Sequence, residues 1–197
     1  MKPAPSYGRI IDGTLRLLAR RGPRRLSMTD ICVESGVSRG TLYRYFANRE
    51  EVFEAVEASV EATLRDALRQ AVAAHPDPAD RAEVVLEGLA QHARSYPVVQ
   101  TLVQQEPGLV RDYLQRHYDA LLELVATHLD TALDDAPAVR DQLMTGRQLA
   151  DVLLRLVLAH LMMPDASEGY LGANGHEIFA LLTGRAQRSR GDLRMTG

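Results

Sequence analysis

Residues 27–46 read Ser27-Met28-Thr29-Asp30-Ile31-Cys32-Val33-Glu34-Ser35-Gly36-Val37-Ser38-Arg39-Gly40-Thr41-Leu42-Tyr43-Arg44-Tyr45-Phe46. Ser27 followed three positions later by Asp30 resembles a capping box, and predicts a short helix that turns Met28, Ile31 and Cys32 inward and stops near Ser35. Gly36 supplies the turn. Ser38 then caps a second short helix, Arg39 to Phe46. Two such helices joined through Gly36-Val37-Ser38 have helix-turn-helix spacing.

On the N-terminal side, Ile11, Leu15 and Leu18 form an i, i+4, i+7 stripe on a helix from about Ser6 to Arg21, which Gly22 and Pro23 end. On the C-terminal side, Asn48 with Glu51 caps a long helix to about Ala74. Prolines at 76, 78, 97, 107 and 137 then divide the chain into helical segments of about 79–95, 98–105, 108–133 and 138–163. A loop rich in Gly and Asp leads to a last helix near 175–188. No period-2 run bounded by turn residues calls for a sheet, so an all-α fold of about nine helices is expected.

At about 100° per residue, Leu42 and Phe46 share one side of the second short helix and face Val37, Ile31 and the first helix, while Gly40 and Arg44 point away. That outer face suits a DNA groove. Arg44 and Arg39 are the candidate base readers, and Gly40 lets the backbone approach closely. Thr41 and Tyr43 flank this centre and are assigned to the two phosphate rims, together with Tyr45, Arg49, Ser27 and Thr29. Binding through these cations should depend steeply on salt.

Charge agrees with this placement. Residues 1–50 hold ten basic side chains against four acidic ones, a net +6, so the whole-chain value of −3 leaves −9 for the rest. A basic segment joined to an acidic one is the electrostatic pattern of a part that meets polyanions and a part that does not. The 197 residues are enough for one large core or two smaller ones. The single cysteine, Cys32, excludes an internal disulfide framework and fits a reducing compartment; it is expected in the core. The N-terminus has no apolar signal-peptide core, and the apolar stretch Leu149 to Met163 is interrupted by Asp151, Arg155 and His160, so a cytoplasmic protein with no membrane contact is expected.

Ile31, the run Gly36 to Phe46, and Arg49-Glu50-Glu51 resemble the signature of the TetR family of transcriptional regulators, over about residues 8–56. Cys32 and Ser35 stand where alanine is common, and Arg49 where lysine is usual, which changes the geometry of that cation though not its charge. The resemblance implies a helix-turn-helix DNA-binding domain at 1–50 and an effector-binding and dimerisation domain at 51–197. It further implies a homodimer on a pseudo-palindromic double-stranded operator, released by a small-molecule effector, most members being repressors. Two recognition helices reading one face must lie about 34–36 Å apart, so an effector that alters this separation abolishes binding. A regulator of the same fold controlled by a protein partner is the alternative.

In the larger part, Leu149, Val152, Leu153, Leu156 and Val157, with Ile178, Phe179 and Leu182 of the last helix, are the candidate dimer surface, built as a four-helix bundle across a two-fold axis. His92, Tyr96, Gln100, Tyr113 and His117 interrupt apolar helical segments and are the candidate lining of an effector pocket. The apolar faces carry no charge cluster, which points to a largely apolar effector. Enzyme readings find little purchase. Gly36-Val37-Ser38-Arg39-Gly40 matches the G-x-S-x-G pattern of serine hydrolases, but a helix rather than a strand enters it. No histidine follows a Glu by three residues, and neither H-E-x-x-H nor a P-loop occurs, so no metal, cofactor or catalytic residue is expected and a helical-bundle enzyme is a distant alternative.

Overall fold

A computed structural model describes residues 5–162 and is helical, with no strand among them. The elements are α1 (Pro5–Arg21), α2 (Met28–Ser35), α3 (Arg39–Tyr45), α4 (Arg49–Ala74), α5 (Arg81–Ser95), α6 (Pro97–Gln105), α7 (Pro107–Leu129), α8 (Pro137–Arg140) and α9 (Gly146–Met162), with short 3-10 turns at Pro23–Arg25, Pro78–Asp80 and Asp130–Leu133. Pro97 and Pro137 start their helices at a position whose N–H has no helical acceptor, which is where proline costs nothing.

The helix expected at 138–163 is two. Chain direction changes after α8, where Gln142 takes a left-handed conformation (φ 58°) and the N–H groups of Leu143 and Met144 both return to the Ala138 carbonyl, at 2.9 and 3.2 Å. Thr145 and Gln148 then build a reciprocal cap for α9: Thr145 N donates to Gln148 Oε1 at 2.8 Å and Gln148 N to Thr145 Oγ1 at 3.2 Å. The helix expected near 175–188 lies outside the described residues.

The residues group into two compact units. The first comprises the described residues up to Arg65 together with Arg94–Gln115. Its core joins Ile10, Leu17, Ile31, Leu42, Phe46 and Val52 from α1 to α4 with Val98 of α6. Thus α6, remote in sequence, packs into the same core as the two short helices. Within this unit α1 and α2 approach closely at Gly13, where a Cβ would lie 3.0 Å from Ser35 N, Cα and Cβ. The turn between α2 and α3 uses Gly36 at φ 62°, ψ 33°, with Val37 N donating to Cys32 O at 3.2 Å, the left-handed ending that glycine adopts without a Cβ clash. Cys32 is buried, as expected for a small core residue.

The second unit comprises Asp66–Ala93 with the described residues from Arg116 onward. Leu68, Val85, Leu86, Leu89, Val125, Leu129, Leu153 and Leu154 are buried in it. Gly88 lets α5 lie against α4, a Cβ there falling 3.1 Å from Leu68 Cδ2. A polar clasp joins α7 to α9: the Tyr118 hydroxyl donates to Asp151 Oδ1 at 2.5 Å, and Arg155 donates to Asp151 Oδ2 at 3.0 Å while its guanidinium lies 4.7 Å from the Tyr118 ring centroid. Burial, and then the neighbouring Asp151 carboxylate, push the Tyr118 hydroxyl up to about 12, so it is a donor at every physiological pH.

Three of the residues expected to face a second protomer are consumed by the chain's own core. Leu149, Leu153 and Val157 are 1%, 0% and 5% exposed, because α9 turns its most apolar side inward. Val152 is exposed and Leu156 half-buried, leaving a narrower outward stripe; Ile178, Phe179 and Leu182 lie outside the described residues.

Candidate nucleic-acid interface

Helix α3 is positioned by its two ends. Ser38 caps it, its Oγ accepting from Thr41 N at 3.1 Å, and Phe46 closes it with its N–H on the Leu42 carbonyl at 3.0 Å. Leu42 is fully buried and Phe46 nearly so, which fixes the rotation of the helix. Arg39, Gly40, Tyr43 and Arg44 are consequently exposed. Nothing lies close to a Cβ built on Gly40 except the Ser38 hydroxyl at 4.0 Å, so the backbone there is open to an approaching surface.

Each of the side chains expected at DNA can be placed. Tyr43 is 53% exposed. Arg44 lies over the Tyr45 ring, 5.2 Å from its centroid, and Tyr45 in turn packs against Tyr7 and Phe46 with centroids 6.0 and 6.3 Å apart. Tyr45 is therefore a half-buried platform under Arg44. Thr41 shares a 2.9 Å hydrogen bond with Ser38 Oγ. Arg39 donates from Nη2 to Thr29 Oγ1 at 2.7 Å, which joins the first turn of α3 to the first turn of α2. Ser27 is committed to its capping box: its N–H and hydroxyl both meet Asp30 Oδ2, at 2.9 and 2.5 Å. Those same bonds, with Arg21 as a smaller contributor, hold the Asp30 carboxyl below its ordinary value. A carboxylate at this helix start disfavours phosphate beside the Ser27 side chain.

Arg49 departs furthest from expectation. Its Nη1 donates to the carbonyls of Leu26 and Pro23, at 3.2 and 3.5 Å, its Nη2 to Glu50 at 3.0 Å, and the guanidinium lies 5.4 Å from the Phe53 ring centroid. It braces the start of α4 against the turn after α1 and is not presented as a phosphate clamp. Several other cations of the N-terminal segment are likewise engaged: Arg16 and Arg20 both pair with Glu34, Arg21 with Asp30, and Arg24 with Glu106. Five of the ten basic side chains of that segment are thus paired with carboxylates that link or brace its helices. Arg39 and Arg44 stand outside these pairs.

The candidate pocket residues are divided between the units. Tyr96, Gln100 and Tyr113 lie in the first, where the Tyr96 hydroxyl shares a 2.8 Å bond with Thr63 Oγ1 and the Tyr113 hydroxyl donates to Glu61 at 3.1 Å; Gln100 is exposed. His92 and His117 are half-buried residues of the second unit.

The family model for bacterial regulatory proteins of the tetR family matches residues 10–56, which is the segment bearing α1, the capped pair α2–α3 and the start of α4. A helix-turn-helix transcriptional regulator of Mycobacterium tuberculosis is 26% identical over 160 residues, covering 81% of this chain and 76% of its own. Residues 10–56 therefore match the helix-turn-helix segment of the TetR family of transcriptional regulators. Solved structures of the family share the chain's fold. The fatty acid degradation regulator FadR from Bacillus halodurans has a TM-score of 0.71 at 19% identity, covering 92% of this chain and 97% of that one. A TetR-like transcriptional regulator from Rhodococcus sp. RHA1 has a TM-score of 0.62 at 20% identity, covering 95% and 98%. The matched segment is the family's DNA-binding part, and α2 and α3 form its helix-turn-helix. No helix among the chain's described residues is long and apolar enough to cross a membrane.

Proposed function

We propose that this regulator is a repressor that binds a pseudo-palindromic operator as a homodimer and leaves it when a small, largely apolar effector binds the helical part beyond the helix-turn-helix. The observation that carries the DNA half of the reading is the exposed face of α3, where Arg39, Gly40 and Arg44 stand together above a buried Leu42 and Phe46. Arg39 and Arg44 read bases, Gly40 admits the groove edge, and Tyr43 with Thr41 meets the phosphates. The half-site centres then lie about one helical turn apart, roughly 34–36 Å. The domain that reads DNA begins near the N-terminus, and effector binding and dimerisation fall to the remainder. For the dimer, Val152 and Leu156 of α9 offer an outward apolar stripe.

An apolar effector is favoured because the hydroxyls of Tyr96 and Tyr113 are already bonded to α4, which leaves their rings rather than their polar tips for a ligand. Cytoplasmic residence follows from the DNA target. Footprinting on the promoters of the genes beside its own tests the reading: a protected, two-fold symmetric site is expected, lost when an apolar metabolite is added. Protection that survives a broad metabolite panel, with no rise in thermal stability for any compound, would replace the effector by a protein partner.

A further inference from the structure

The last turn of α1 contains a carbonyl that its own helix cannot satisfy. In an α-helix the donor for the Ala19 carbonyl is the N–H of residue 23, and residue 23 is proline. Gly22 N still reaches the Leu18 carbonyl at 3.0 Å, after which Gly22 (φ 66°, ψ 172°) turns the chain out of the helix. The missing donor arrives from 82 residues away: Thr101 Oγ1 of α6 donates to Ala19 O at 2.9 Å in a partly buried setting. A threonine inside a helix ordinarily bonds back to its own preceding turn. Here the hydroxyl is instead spent on another helix.

The contact does not stand alone. Val98 is buried in the core shared by α1 to α4, with Val99, Leu102 and Tyr96 packed against it. At the end of α6, Glu106 pairs with Arg24 Nε at 2.9 Å, immediately after the Gly22-Pro23 break. All these residues belong to one compact unit. Helix α1 in turn sets α2, through the close approach of Gly13 to Ser35 and the ion pairs of Arg16 and Arg20 with Glu34.

We infer that Thr101 is a positioning residue for DNA binding: its hydroxyl caps the proline-orphaned end of α1 and thereby fixes the α2–α3 pair, which makes α6 an integral helix of a DNA-binding body discontinuous in sequence. The inference rests on α3 being the reading helix, as proposed above.

The test uses the full chain and reads two quantities, amide hydrogen exchange around residues 18–26 and affinity for the protected operator and for unrelated DNA. Thr101→Val removes the hydroxyl and keeps the branched shape. It is expected to speed exchange at the end of α1 and to weaken operator binding about fivefold, the worth of one ordinary hydrogen bond. Thr101→Ser, which keeps the donor, restores most of both. Wild-type exchange and affinity in Thr101→Val would overturn the inference. If Thr101→Val does not fold, Thr101→Ala, which also removes the hydroxyl, reads the same bond, and unchanged exchange there would equally overturn it. A wild-type chain that binds no operator defeats the proposed function, while the exchange arm still judges Thr101.

Discussion

Arg39 Nη2 and Thr29 Oγ1 lie 2.7 Å apart, so the first residue of the exposed face of α3 is held by a hydroxyl on α2. An arginine has about five donors and flexes over several torsions; one fixed contact leaves the others free and removes much of the freedom that reading a base edge would otherwise cost. If Arg39 reads a base as proposed, Thr29 acts on DNA through it. Thr29→Val should relax base preference at the position Arg39 reads, with affinity for unrelated DNA unchanged, and Thr29→Ser should retain it. Selection from a randomised operator measures this, and an unaltered preference in Thr29→Val would return Thr29 to the phosphate.

Arg44 and Tyr43, neighbours on α3, should separate in the same assay. Arg44→Ala is expected to lose about 1–3 kcal/mol of discrimination at one base pair, whereas Tyr43→Phe weakens all DNA by about 1 kcal/mol. Because Arg16, Arg20, Arg21, Arg24 and Arg49 already face carboxylates, the salt dependence should be shallower than the ten basic side chains of the segment would imply. Arg16→Ala should leave the slope of log affinity against log salt where it is. A reduction of about 1 in that slope would show Arg16 on phosphate.

Two glycines of α1 should respond to alanine with opposite signs. Gly8 has nothing within 4 Å of a built Cβ, so Gly8→Ala gains about 0.5–1 kcal/mol of helix propensity. At Gly13 the same gain is outweighed, since the new methyl meets the Ser35 backbone at 3.0 Å and α1 must shift from α2. A net loss of about 1–2 kcal/mol is expected. Thermal unfolding of the two variants decides it, and stabilisation by both would mean that the α1–α2 approach yields easily.

Acid should loosen the first unit at α2. The Ser27 hydroxyl and amide hold Asp30 below its ordinary value, and Arg16 followed by Arg20 does the same for Glu34. A carboxyl whose folded pKa is depressed adds stability above its unfolded pKa, about 4, and that stability is lost as pH falls through the folded value. Wild-type stability should therefore decline below about pH 4 more steeply than that of Glu34→Gln. Chemical denaturation at pH 6 and pH 3 compares the slopes, and parallel curves would remove Glu34 from the account.

What the sequence alone determined is what neighbouring residues decide between themselves. Ser27 with Asp30, Ser38 with Thr41, Asn48 with Glu51 and the left-handed Gly36 satisfy backbone groups three or four positions away, so each cap was readable and the helix-turn-helix with it. The inward side of α3 followed from the 3.6-residue period. The single helix expected over 138–163 runs across the break before α9, though Thr145 with Gln148 carries the same cap signature there. The rest needed tertiary structure, because its partners are far apart along the chain. Nothing near Arg49 announces that the carbonyls of Pro23 and Leu26 will claim it, and nothing near Thr29 announces Arg39. Thr101 is the clearest instance: Pro23 discloses that the Ala19 carbonyl lacks a donor, but only packing α6 against α1 decides which residue supplies it.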